Sequence, residues 1–268
     1  MGSVDQLKTV FNDEWDWSTQ GEEWSTWWGG TPALWYGALL PRLHQWLPAP
    51  RIMEIAPGFG RWTQYLKDLT DELVVVDLAE KCIDACRQRF ADATNIRYHV
   101  NDGRSLAMVE PSSVDLVFSW DSLVHADAEV LEAYLAQLAT VLTPDGVAFV
   151  HHSNAGQYRR AQPLAVRTPE RLRRPLVHRG VLLDVYAWRA ADVTAARVAE
   201  VCRASGLSVV SQERFTWEHG RYLTEAITVV TPAGSRWSRP TRQVTNRSFR
   251  AEADRMRDLY AADPTVSA

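Results

Sequence analysis

The stretch Glu54-Ile55-Ala56-Pro57-Gly58-Phe59-Gly60 follows the short run Arg51-Ile52-Met53 and precedes a helical pattern from Arg61 to Leu69. The sequence therefore reads as strand, Gly-rich turn and helix. Gly58 and Gly60 lack Cβ atoms, so the backbone can turn tightly there and approach a ligand where the helix begins. A lone Gly-x-Gly turn is often only a turn, so its meaning depends on what surrounds it.

Downstream, Leu73-Val74-Val75-Val76 is continuously apolar, as a strand buried on both faces of a parallel sheet should be, and it ends at Asp77. A helix from about Ala79 to Phe90 leads to a strand at Ile96–Val100, which ends at Asn101-Asp102-Gly103. Val114–Ser119 is a fourth strand, ending at Trp120-Asp121. Helix Glu129–Leu142 passes through a Thr143-Pro144-Asp145-Gly146 turn into a fifth strand, Val147–His151. This alternation predicts a doubly wound, mostly parallel α/β sheet. Helix Ala190–Ser205 and two final strands, Leu207–Trp217 and Tyr222–Val230, complete seven strands, the last two as an antiparallel pair.

Upstream, Leu34 to Leu47 has mostly helical apolar spacing and stops before Pro48 and Pro50. Three regions follow. Residues 1–48 form a Trp-rich helical cap, 49–232 the core with a lid or substrate insertion at 155–191, and 233–268 a tail that is helical around Ala251–Tyr260. Pro163, Pro169 and Pro175 predict that the insertion is irregular.

Ligands of open α/β sheets bind beyond the carboxyl ends of the strands. Asp77 lies seventeen positions past Gly60, where a carboxylate can accept both hydroxyls of a ribose, and Asp102 is within reach of an adenine amino group. Either carboxylate alone reads equally well as a helix cap. Together with the turn, in order on successive strands, they point to a nucleoside cofactor. A dinucleotide would want Gly or Ala three residues after the second glycine, and that position holds Thr63.

At these residues the chain resembles the class I methyltransferases over about residues 30–232. The matching features are Glu54-x-x-x-Gly58-x-Gly60, an acid ending each of strands two and three, and the closing hairpin. Trp28-Gly-Gly-x-x-x-x-Trp35-Tyr36, Asp121-Ser-Leu-Val-His125 and Val150-His-His-Ser-Asn154 further resemble bacterial sugar O-methyltransferases of polysaccharide and glycoside biosynthesis clusters. The resemblance implies S-adenosyl-L-methionine as cofactor, held by Glu54, Ala56, Pro57, Gly58, Gly60, Asp77, Leu78, Asp102, Gly103, Trp120 and Trp28. It also implies a sugar or glycosylated natural product as acceptor. N- or carboxyl-methylation, and a cofactor-binding protein without activity, are the alternatives.

Methyl transfer to a hydroxyl needs alignment and removal of a proton. His125 is the candidate general base, with Asp121 orienting it and His152 as the second candidate. The competing reading of His125 is a residue that orients its loop. His151 and His152 point to opposite faces of their strand, so only one can reach the cleft. Asp121 lacks a carboxylate-rich companion motif, so no metal is expected.

Twelve tryptophans are present, seven of them in the first fifty residues. They read as packing or as a stacking platform for the acceptor, with Trp27, Trp28, Trp35 and Tyr36 expected at the cofactor mouth. Arg159–Arg179 reads either as a site for an anionic acceptor or as a solvated lid. A net charge of -4 argues against nucleic acid, and no apolar run is long enough to span a bilayer. Three unpaired cysteines and the lack of a signal-like amino terminus fit a cytoplasmic protein. A homodimer is left open.

Overall fold

The alternating apolar runs assemble into one sheet. In the computed structural model, which describes residues 2–185, 188–218 and 220–260, the strands are β1 (Ala49–Ile55), β2 (Thr70–Asp77), β3 (Ile96–Val100), β4 (Val114–Ser119), β5 (Leu142–Ser153), β6 (Leu207–Phe215), β7 (Glu225–Pro232) and β8 (Arg242–Thr245). Their order is β3-β2-β1-β4-β5-β7-β6-β8, with β7 antiparallel to both neighbours and all other pairs parallel. Residues 261–268 of the expected tail and 186–187 of the insertion lie outside the described residues.

The doubly wound sheet is as expected, but it has eight strands rather than seven. The extra strand, β8, is four residues long, polar and at the edge, so it carries no apolar alternation to read. The Thr143–Gly146 turn is instead an irregularity inside a single long β5. Val114 pairs with Leu142 and Leu116 with Val147, which leaves the intervening residues bulged.

Alternation divides the core by face. Val74, Val76, Ala148 and Val150 pack with helices Ala128–Val141 and Ala195–Ala204, whereas Leu73, Val75, Phe118 and Phe149 face the amino-terminal cap. The cap is helical throughout Thr31–Trp46 and buries Trp28, Trp35 and Leu39. Helix Phe249–Tyr260, from the expected tail, covers the same face through Phe249 and Ala253.

The insertion is more regular than its prolines predict. It contains helices Gln162–Arg167 and Glu170–His178. Pro163 lies in a first turn and Pro169 at an N-cap, where no backbone N–H is required; only Pro175 is interior. Ala165, Leu182 and Leu183 give this insertion its own small core. No helix among the described residues is long and apolar enough to cross a membrane.

Candidate active site

The turn after β1 is held in unusual conformations, with φ of +59° at Ala56, +58° at Gly58 and +85° at Gly60. A Cβ at Gly60 would lie 2.5 Å from the Phe90 ring, so packing against the end of helix Glu80–Arg89 itself requires a glycine here. Beneath the turn, the Thr63 hydroxyl donates to buried Glu54 at 2.6 Å. Burial, aided by the nearby Asp77 charge, pushes the Glu54 carboxyl up to about 8 despite the Thr63 bond and Arg61.

That shift makes a prediction. Folded Glu54 keeps its proton to about pH 8, whereas in an unfolded chain it is lost near the ordinary carboxyl value of 4.5. Between these values the folded state binds more protons, so its contribution to stability is full below 4.5 and is lost as pH rises towards 8. Glu54→Gln should remove roughly 2–4 kcal/mol of that loss, measured as a smaller fall in melting temperature from pH 5 to pH 8.

Asp77 is also buried, its two oxygens accepting from Ala79 N at 2.8 Å and Gly58 N at 3.4 Å. Burial pushes its carboxyl up to about 6 against the pull of those bonds. Asp77, Ala56, Pro57, Gly58, Leu78, Trp120 and Asp121 line one cavity, closed on its outer side by Leu7, Phe11 and Trp17. Trp17 stacks on Phe59 with centroids 4.4 Å apart and donates from Nε1 to the Phe11 carbonyl.

A second cavity of about 360 Å3 lies alongside, walled by residues from the cap, the insertion and the segment after β6. Phe11, Trp24 and Asp121 belong to the walls of both cavities. Asp121 has φ +60° and pairs with Arg61 at 3.0 Å and with Arg189 at 3.7 Å. Arg61 is itself buried against Trp62 and bonded to Ser25. Arg189 also pairs with Glu225, which burial would push up but the guanidinium and His151 hold down at about 2.

His125 lines the second cavity, and its Nδ1–H donates to the Trp188 carbonyl, so Nε2 is the ring's acceptor. Burial and the Arg189 cation hold the imidazole down at about 4 despite Asp121. His125 is therefore neutral across the physiological range.

Several expected contacts lie elsewhere. His152 is buried on the opposite face of β5, bonded to Thr228 Oγ1 and the Ser153 carbonyl, and lines neither cavity. His151, on the other face, is also fully buried and lines neither cavity, but it stacks on Trp120 at 4.2 Å, accepts from Asp121 N and donates to Glu225. Asp102 faces solvent, where its Oδ1 accepts from the Arg104 and Ser105 amides as a turn cap. Gly103 packs beside Val4. Trp28 and Trp35 are core residues and Tyr36 is exposed, whereas Trp15, Trp24 and Trp27 line the second cavity. None of the arginines from 159 to 179 lines either cavity.

Residues 52–146 match a family model described as a methyltransferase domain. Residues 52–146 are a methyltransferase domain. Phosphoethanolamine N-methyltransferase 1 of Caenorhabditis elegans is 34% identical over 96 residues, 35% of this chain and 19% of that protein. The chain spans less than a quarter of the length of the curated relatives it matches. The PH0226 protein of Pyrococcus horikoshii is similar in fold at a TM-score of 0.53 and 18% identity, covering 85% of this chain and 97% of that one. A DhpI-SAH complex scores 0.52 at 18% identity over 86% and 97%. The fold is that of the class I methyltransferases, and the cofactor of the methyltransferase domain is S-adenosylmethionine. Arg189, Thr216, Trp217 and Glu225, all in the walls of the second cavity, lie beyond the matched segment.

Proposed function

We propose that the whole chain is an S-adenosylmethionine-dependent O-methyltransferase that acts on a hydroxyl of a sugar or glycosylated small molecule. The observation that carries this reading is the sharing of Asp121 between the cavity lined by Asp77 and the Ala56–Gly58 turn and an aromatic cavity that His125 also lines. A donor in the first and an acceptor in the second would meet at that residue, as in-line transfer requires.

The residues present fit the cofactor. Trp62 Nε1 and Trp120 Nε1 are buried without a hydrogen-bond partner among the described residues, and both side chains line the first cavity. Asp77 can accept ribose hydroxyls there, beside the Gly58 backbone. When bound, S-adenosylmethionine supplies a methyl group on a sulfonium, an electrophile that needs no activation by metal or base. Asp121 places carboxylate charge at the junction, held in orientation by Arg61 and Arg189. His125 Nε2 takes the acceptor hydroxyl's proton as the new C–O bond forms. The indole faces of Trp15, Trp24 and Trp188 offer flat apolar surface to a pyranose ring.

Asp77→Ala should weaken S-adenosylhomocysteine binding by about 100-fold or more in calorimetric titration, since it removes two hydrogen bonds to a charged group. The function itself is tested with a panel of glycosides and methyl-labelled cofactor. Labelled glycoside and an equal amount of S-adenosylhomocysteine support the reading. Label transferred only to amines or carboxylates contradicts it.

A further inference from the structure

The acceptor cavity has a charge pattern that the proposed function does not use. Among the described residues, its walls carry five carboxylates, Glu23, Asp121, Asp184, Glu218 and Glu225, against the single guanidinium of Arg189. Two of the five are already answered, because Arg61 and Arg189 neutralise Asp121 and Glu225. Glu23 accepts from Trp15 Nε1 at 3.3 Å.

Glu218 is different. Its carboxylate is half-buried beside Trp217 in the cavity wall and makes no hydrogen bond or ion pair among the described residues. Burial and the charge of Asp184 push this carboxyl up, offset only in part by Arg250 and His178. The neighbouring guanidinium is committed elsewhere: Arg250 pairs with Asp254 at 2.8 Å and rests on the Trp27 ring at 3.7 Å. That contact shows an indole of this wall receiving a cation on its face.

An anionic acceptor, such as a phosphorylated or nucleotide-linked sugar, would meet this unpaired carboxylate without a compensating cation. A positively charged group would complete the wall. Resting on the sugar-hydroxyl reading above, we infer that the natural acceptor is an amino sugar or its glycoside, with its ammonium held by Glu218 among the indoles while a hydroxyl is presented at Asp121 and His125. The ring spans the cavity, with its charged substituent away from the reacting atoms.

The test is calorimetric titration of the S-adenosylhomocysteine-bound protein near neutral pH with three probes: methyl glucosaminide, its N-acetyl counterpart, and cyclohexylamine. The expected result is binding of the amino sugar about tenfold more tightly than the N-acetyl sugar, with Glu218→Gln abolishing most of that preference while leaving N-acetyl binding unchanged. Equal or tighter binding of the N-acetyl sugar overturns the inference and leaves the sugar reading intact. Binding of cyclohexylamine with neither sugar bound overturns the sugar reading, and the amino-sugar assignment falls with it. Failure of all three to bind overturns both.

Discussion

His125→Ala is expected to lower turnover by about 10²–10⁴-fold at saturating acceptor, the usual contribution of a positioned general base. The imidazole is neutral at ordinary pH because burial and Arg189 hold it at about 4. The wild-type rate should therefore be level through neutrality and fall on acidification with a midpoint near 4. This differs from the near-neutral limb that an unperturbed histidine would give. A base this weak does not ionise a free hydroxyl. It accepts the proton only as carbon–oxygen bond formation acidifies that hydroxyl. The variant should lose the acid limb together with the rate, while cofactor affinity is unchanged because the ring lines the acceptor cavity alone. Unaltered turnover would return His125 to the role of a residue that orients its loop through the Trp188 carbonyl.

Arg189→Ala should be the most destabilising of the site substitutions. It leaves Glu225, which is 2% exposed and bonded to His151, as a buried carboxylate without its cation. Breaking such a pair costs about 3–5 kcal/mol, a fall in melting temperature of roughly 10 °C for a chain of this size. The pH dependence should also change sign. In the wild type the Glu225 carboxyl is held at about 2, so its stabilising contribution is present above the ordinary value of 4.5 and lost as pH falls towards 2. Without the guanidinium, burial pushes the carboxyl up, and the corresponding contribution is lost as pH rises. The double substitution Arg189→Met with Glu225→Gln removes both charges and should recover much of the melting temperature. A single variant as stable as wild type at pH 8 would contradict the buried ion-pair network.

Much of the fold was legible because buried parallel strands are continuous apolar runs that stop at a polar residue on the ligand-binding edge. Leu73–Val76 ending at Asp77 and Val114–Ser119 ending before Asp121 are examples, and such strand-end residues are located by local sequence alone. The structure brings Ala56, Pro57, Gly58 and Trp120 to the walls of one cavity and His125 to the other. Asp102 is brought to neither cavity, because a strand-end carboxylate can equally turn outward to cap Arg104 and Ser105.

The choice between His151 and His152 depended on register. Phe118 lies opposite Phe149, so Trp120 shares its face with His151, and the pairing is fixed by the sheet rather than by either strand. Arg61, Arg189 and Glu225 left no periodic trace. They converge from separate elements, and only their mutual neutralisation makes their burial tolerable. Among the tryptophans, the three-residue turn of helix Glu22–Trp28 places Trp24 and Trp27 together on the acceptor side and turns Trp28 into the core. A reading based on the α-helical period could not separate them.

The central claim is that donor and acceptor meet at Asp121, and a crystal structure with S-adenosylhomocysteine bound tests it most directly. The account predicts ribose hydroxyls on Asp77, the nucleoside against Leu78, and the sulfur turned past Asp121 towards the cavity that holds His125. A sulfur directed away from that cavity, or a nucleoside bound elsewhere than the Ala56–Gly58 turn, would contradict it.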